Sequence, residues 1–125
     1  DQSTAIRWYN GSSSTTNAIG TAIGTGLSNT NAIIDVQGET STSYAAGLAR
    51  AYNEGGYSDW YLPSKDELNK LYLNRFLIGG FSPNSYWSST EVNTNAAWLQ
   101  NFFDGSQRND EFKFESYNVR AIRAF

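Results

Sequence analysis

Five carboxylates, Glu91, Asp104, Asp110, Glu111 and Glu115, fall in the last third of the chain. With Lys and Tyr they are the main side chains left to act as acids or bases, because the sequence contains no His and no Cys. That composition removes His-based triads, histidine and thiolate metal sites, Cys nucleophiles and disulfides. A glycosidase would need two of the carboxylates at a defined separation across a sugar bond. Asp104 precedes Gly105 and reads as a turn residue, and Asp110-Glu111 reads as a solvated loop. Asp59, Asp66, Glu67 and Glu91 are oxygen donors, but no loop sets ligands at alternate positions as an EF-hand does. The expectation is a protein that is not an enzyme and holds no metal or cofactor.

The stretch from Leu99 to Tyr117 is unusual in another way. Phe103, Phe112, Phe114 and Tyr117 alternate with Asp104, Ser106, Arg108, Asn109, Asp110 and Ser116. On a strand, Phe112 and Phe114 point to one face and Lys113 and Glu115 to the other. If the Phe face is exposed, it is an apolar patch of the kind that marks a binding site. Trp60, Trp87 and Trp98 lie in apolar strand patterns and are expected in the core; Trp8 is left undecided.

These residues must be positioned by a small set of elements. Ala5 to Tyr9 predicts a strand, ended by the turn formers from Asn10 to Ser14. Residues 18–25 repeat Ala-Ile-Gly-Thr twice, too little for a solenoid, and predict an ordered loop. Three helices follow. Asn29 to Gln37 carries Ile33 and Val36 on one side and Gly38 just past its end. Ser43 to Asn53 places Tyr44, Leu48, Ala51 and Tyr52 on one face. The third opens with a Ser64/Glu67 capping box and buries Leu68, Leu71 and Tyr72. Strands then run over Tyr86–Thr90, Ala97–Phe103, Phe112–Phe114 and Val119–Phe125, with Asp104-Gly105 as a hairpin turn. The order of strand, helices and antiparallel strands predicts an α+β domain spanning residues 1–125. The two chain ends are expected to meet, with Ile6 and Trp8 beside Val119 to Phe125.

Composition agrees with a recognition module. Charged residues make up 17% of the chain and aromatics 15%, and the rest is rich in Ser, Asn and Thr. Tyr, Ser, Asn and Gly are the vocabulary of a wet, adaptable contact surface. A net charge of −3 argues against a nucleic-acid partner. No apolar run approaches the ~18 residues of a membrane span, so direct membrane insertion is not expected. The chain opens at Asp1 without a signal-peptide pattern, as a mature product or an excised domain would.

Several blocks resemble a known family. Gly56-Tyr57-Ser58-Asp59-Trp60-Tyr61-Leu62-Pro63-Ser64-Lys65-Asp66-Glu67-Leu68 is similar to the signature segment of the Lcl C-terminal domain family, named for a bacterial collagen-like adhesin. Tyr86-Trp87-Ser88-Ser89-Thr90-Glu91, Ala97-Trp98, Asn101-Phe102 and the run from Val119 to Phe125 resemble its later blocks. Residues 86–125 also resemble the variable region of a diversity-generating retroelement target, in which template adenines are randomised and Asn codons scatter. The resemblance implies a C-type-lectin-like fold without disulfides, with short helices packed on antiparallel sheets. It further implies a constant frame (Trp87, Ser88, Ser89, Trp98, Gln100, Phe102, Gly105, Gln107, Lys113, Val119 and Arg120 to Phe125). Around that frame lie positions drawn from the substitution set.

The ligand-binding positions implied are Asn93, Asn95, Leu99, Asn101, Phe103, Asp104, Ser106, Arg108, Asn109, Asp110, Phe112, Phe114, Ser116 and Tyr117. Val92, Thr94 and Asn118 belong to the same scatter. The function implied is receptor recognition by a domain outside the cell, on a bacterial surface or a phage tail tip. Its partner would be a protein or glycan on a cell surface, and a homotrimer would form through flanking regions. The alternative is a fixed-specificity adhesin for glycans or glycosaminoglycans, with Arg120 and Arg123 as the nearest cations.

Overall fold

In the computed structural model, which describes residues 2–38 and 42–124, the two ends of the chain are paired. Strand β1 (Ser3–Arg7) runs antiparallel to β5 (Ser116–Val119), with Ile6 opposite Tyr117 and Ser3 opposite Val119. β5 lies beside β2 (Ser85–Glu91) in a parallel step, Tyr86 opposite Asn118. β2, β3 (Ala96–Asn101) and β4 (Gln107–Phe112) continue as an antiparallel meander, so the sheet order is β1-β5-β2-β3-β4. The architecture is α+β as expected, but the helices pack on one mixed sheet instead of purely antiparallel ones.

β1 sits two residues earlier than the sequence pattern suggested, because Trp8 leaves the ladder. Its backbone N–H donates to the Lys113 carbonyl at 3.0 Å and its indole N–H to the Ser88 carbonyl at 2.8 Å. Trp87 returns the brace, its indole donating to the Ile6 carbonyl at 2.9 Å. Both rings are fully buried. Two donors that would be costly to strand in a core thereby fix β1 against β2. Trp60 and Trp98, expected in the core, are half-buried.

The helices follow the sequence in outline. α1 (Gly26–Gln37) starts one turn earlier than expected. Asn29 does not cap it; its amide bonds the Gly20 backbone on both sides, at 2.7 Å and 3.1 Å. Gly26 can open the helix because it lies against Glu67 and the Leu62 carbonyl, where a Cβ would come within 2.2 Å of Glu67 Oε1. Val36 is exposed and Ile34 takes its place in the core. α2 (Ala45–Ala51) buries Ala45, Ala46 and Ala49 beside Tyr44, whereas Ala51 faces out. α3 (Lys65–Leu73) opens with both arms of the expected capping box and buries Leu68. A short helix α4 (Arg75–Ile78), absent from the sequence reading, follows it.

The main core gathers Trp8, Ile33, Leu62, Trp87, Leu99 and Val119. A second cluster forms under α3 from Leu68, Tyr86 and Phe102, with Leu71, Tyr72 and Phe81 at its border. The β3–β4 turn spans 102–105; the Asn101 N–H donates to the Ser106 carbonyl at 2.8 Å and Gly105 takes φ +82. Phe102 is the buried anchor of that turn, 3% exposed. β5 ends at Val119, short of the strand expected to Phe125. Beyond it Ile122 forms a two-way bridge with Tyr61, at 2.8 Å and 2.9 Å. The terminal Phe125 lies outside the described residues.

Candidate functional site

The β3–β4 hairpin and the β4–β5 turn carry most of the positions singled out in the sequence. β4 is an edge strand that runs from Gln107 to Phe112, so Asp110 and Glu111 belong to a strand and not to a solvated loop. Gln107 turns inward, its amide donating to the Lys65 carbonyl at 3.1 Å. Arg108, Asn109, Asp110 and Phe112 are exposed. The strand ends where Lys113 turns inward between two exposed aromatics. Lys113 is 1% exposed, whereas Phe112 and Phe114 are 51% and 57% exposed. The two Phe rings stack at 5.3 Å between centroids with 10° between planes. The i, i+2 spacing therefore does bring both rings to one side, through a turn rather than a continued strand.

Lys113 is what holds that turn. Its ammonium donates to Glu91 Oε1 at 2.6 Å and to the Ser14 carbonyl at 3.1 Å, and lies 4.6 Å above the Trp8 ring. Its backbone N–H donates to the Asn95 carbonyl at 2.9 Å. Glu91 in turn accepts the Thr16 N–H at 3.0 Å and the Asn17 N–H at 3.2 Å. Burial pulls the Lys113 ammonium below the ordinary lysine value, and the Glu91 carboxylate opposes that shift.

A second group joins β4 to β5. The Tyr117 hydroxyl donates to Glu111 Oε2 at 2.8 Å, and Glu111 Oε1 lies 3.4 Å from Arg108 Nε. The Tyr117 ring meets Trp87 edge-on at 5.0 Å. Burial, then the hydrogen bond to Glu111, then the Glu111 charge push the phenol up to about 12. Beside it a polar cleft of about 290 Å³ is lined by Asn84, Ser85, Asn101, Ser116, Tyr117 and Asn118, among others. Asn101, Ser116 and Tyr117 are thus brought together around one opening.

Other sequence-derived positions go elsewhere. Leu99 is 2% exposed and packs in the main core, so its expected place on the surface is corrected. Asn118 is likewise buried. Phe103, 76% exposed, occupies the hairpin tip with Asp104 and Ser106. A six-residue strand, about 20 Å long, separates it from Phe112, so the three Phe residues do not form one patch. Phe103 instead borders a cleft with Arg75, Phe76, Phe81 and Phe102. The Asp104 carboxyl accepts the Ser106 N–H at 2.9 Å and the Ser106 hydroxyl at 2.8 Å, which holds it below the usual carboxylate range. Asn93 and Asn95 are exposed in the β2–β3 turn, where the Asn93 side chain accepts the N–H groups of residues 95 and 96 at 2.9 Å each.

Four of the five carboxylates considered for chemistry are engaged in structure, and Glu115 is exposed. Glu91 is ion-paired in the interior, Asp104 caps its own turn, and Asp110 and Glu111 face Arg108. No group of three or more metal-ligating side chains comes together among the described residues. What the arrangement offers is contact: stacked aromatic faces at the end of β4, a polar cleft bordered by β2, β3 and β5, and a buried lattice of side chains beneath.

Sequence reasoning did not single out α4, where Phe76 and Leu77 are 87% and 88% exposed. The signal was present in Phe76-Leu77-Ile78, an apolar run directly after a helix whose buried stripe was already complete. The model of the Lcl C-terminal domain family matches residues 1–123 of the chain. No curated protein matches it.

Proposed function

From the premise that the chain belongs to the Lcl C-terminal domain family, whose setting is surface-associated and adhesin-like, we propose that it is a receptor-recognition domain. Its contact surface would be the β3–β4 hairpin with the flanking β2–β3 and β4–β5 turns, on a C-type-lectin-like scaffold. Retroelement diversification would vary this surface. The domain is not catalytic in this reading; it would be displayed on a bacterial surface or a phage tail tip and bind a protein or glycan on another cell.

One observation carries the proposal. Among the described frame positions Trp87, Ser88, Ser89, Gln100, Phe102, Lys113, Val119 and Ala121 are buried, the others are half-buried, and Ala124 alone is exposed. Most of the scattered positions are exposed, including Asn93, Asn95, Ser106, Arg108, Asn109, Phe112, Phe114 and Ser116. Leu99 and Asn118 are the two buried exceptions. Such a partition lets contact residues change at little cost, because surface substitutions typically shift stability within about 0.5 kcal/mol and core ones by several. The fixed-adhesin reading has less to stand on. Arg120 already donates to the Gly79 carbonyl at 3.1 Å and Arg123 grips Asp59 at 2.8 Å and 3.0 Å.

The test is genomic. The expected finding is an imperfect repeat of the coding sequence for residues 86–125, differing at template adenines, beside a reverse-transcriptase gene. A neighbourhood lacking both removes diversification from the proposal. A mismatch pattern that falls on Trp87, Gln100 or Lys113 would count against the division into frame and surface.

A further inference from the structure

The apolar lobe at the end of α3 adjoins the proposed recognition surface: Phe103 at the hairpin tip belongs to both, whereas Phe76 and Leu77 on α4 belong to the lobe alone. α4 projects Phe76 and Leu77 with 87% and 88% of their surface free, and Leu73 and Phe103 beside them are 66% and 76% free. Exposed apolar surface on this scale marks a contact. Phe76 and Leu77 project from the domain, so whatever covers them must receive them, as the headgroup region of a bilayer or a pocket on a partner protein does.

The charges around the lobe narrow the choice further. Arg75 is held at its rim, its guanidinium 3.9 Å from the Tyr72 ring centroid and 4.5 Å from that of Phe76. Arg120 lies beneath the Gly79-Gly80 turn, about 3.5 Å from where a Cβ on Gly80 would be. Lys70 is on the last turn of α3. From Leu68 to Phe102 the one carboxylate is Glu91, which is buried against Lys113. Asp104, next to Phe103, is kept ionised by its hydrogen bonds from Ser106 and sets one negative charge against the three cations Lys70, Arg75 and Arg120. A chain of net charge −3 thus presents a locally cationic, aromatic-tipped lobe. Apolar tips with Arg or Lys behind them suit the boundary between headgroups and acyl chains.

We propose that α4 and the β3–β4 hairpin tip form a lipid-docking surface that seats Phe76, Leu77 and Phe103 at headgroup depth in an anionic bilayer leaflet. The docking is peripheral: no helix among the described residues is long and apolar enough to cross a membrane. The sequence-based expectation of no membrane insertion rested on the length of apolar runs. This surface is assembled from two separate segments and leaves no such run.

The experiment is co-sedimentation of the whole chain with phosphatidylcholine vesicles, with and without phosphatidylglycerol, alongside Phe76→Ser and Leu77→Ser. The wild-type chain is expected to partition onto the phosphatidylglycerol vesicles and to be released by salt, since surface attraction of this kind is screened. Each variant should partition about tenfold less or weaker still, as expected for removing one large apolar side chain from an apolar medium. Both should keep the wild-type melting temperature, because neither side chain is packed. No partitioning of the wild-type chain, or equal partitioning of the variants, overturns the proposal. Self-association in sedimentation velocity that both substitutions abolish would overturn it too, by identifying a second copy as the occupant.

Discussion

The Lys113 ammonium lies 2.6 Å from Glu91 Oε1, with the two side chains 1% and 2% exposed. The pair joins the end of β2 to the β4–β5 turn, and through the Thr16 and Asn17 N–H groups it also fixes the long loop after β1. An ion pair this deep is no guarantee of net stability, because desolvating both charges offsets their attraction. Breaking it is a different matter.

Removing one partner leaves an uncompensated charge in the interior. Lys113→Met is expected to cost about 3–5 kcal/mol and Glu91→Gln a similar amount. The double variant Glu91→Gln/Lys113→Met should recover a large part of the loss. Chemical denaturation of the three variants measures the coupling. Strictly additive losses would show that the pair does not act as a unit.

Tyr117 gives an alkaline signature. Its phenol is pushed up to about 12, from an ordinary value of 10.0, by burial and by Glu111. A group raised in the folded state contributes stability that is fully present below pH 10 and is lost as pH rises through 12. Tyr52 and Tyr61 are raised as well, so absorbance titration of phenolate is read as a difference: Tyr117→Phe should remove one late-titrating Tyr and Glu111→Gln should shift it down. Lys113 works in the opposite direction: its folded value is lowered, so its contribution rises with pH up to the ordinary lysine value of 10.5.

Phe112→Ala and Phe114→Ala should each lower stability by no more than about 1.5 kcal/mol, the scale of one aromatic pair. Both should abolish binding of the natural ligand if the proposed surface is correct. Phe102→Ala is the contrast: its ring meets Tyr72, Phe81 and Tyr86, and its loss should cost roughly 3–5 kcal/mol. Thermal unfolding of the three variants separates display from core. A large loss at Phe112 or Phe114 would place those rings in the core instead.

Leu99 should behave as a core residue despite its place among the scattered positions. Leu99→Ala is expected to cost about 2–5 kcal/mol, and Leu99→Asn more, since it also buries an amide without a prepared partner. A library randomised at Leu99 and at Asn109, sorted for folded protein, should return mainly apolar residues at the first and a broad set at the second. Equal tolerance at both would contradict the observed burial.

Local chemistry made much of this protein legible in its sequence. The Ser64/Glu67 capping box involves residues three apart and needs no distant partner. The Asp104-Gly105 turn, the β2 and β3 strands and the outward Phe112 and Phe114 are likewise written in short-range pattern. The tertiary structure decided the rest. β3 is covered on both faces, Leu99 by the main core and Gln100 by Asn69 on α3, so alternation could not separate a surface Leu from a buried one. α1 begins at a glycine because Glu67, far along the chain, leaves room for nothing larger. Lys113 points inward because its counter-charge waits 22 residues away in β2. Phe103 parts from the other two Phe residues because it lies in the turn before β4, whereas Phe112 and Phe114 lie at and beyond the other end of that strand. Periodicity reports neighbours a few residues apart, whereas burial, charge pairing and patch formation depend on which distant segments the sheet order brings together.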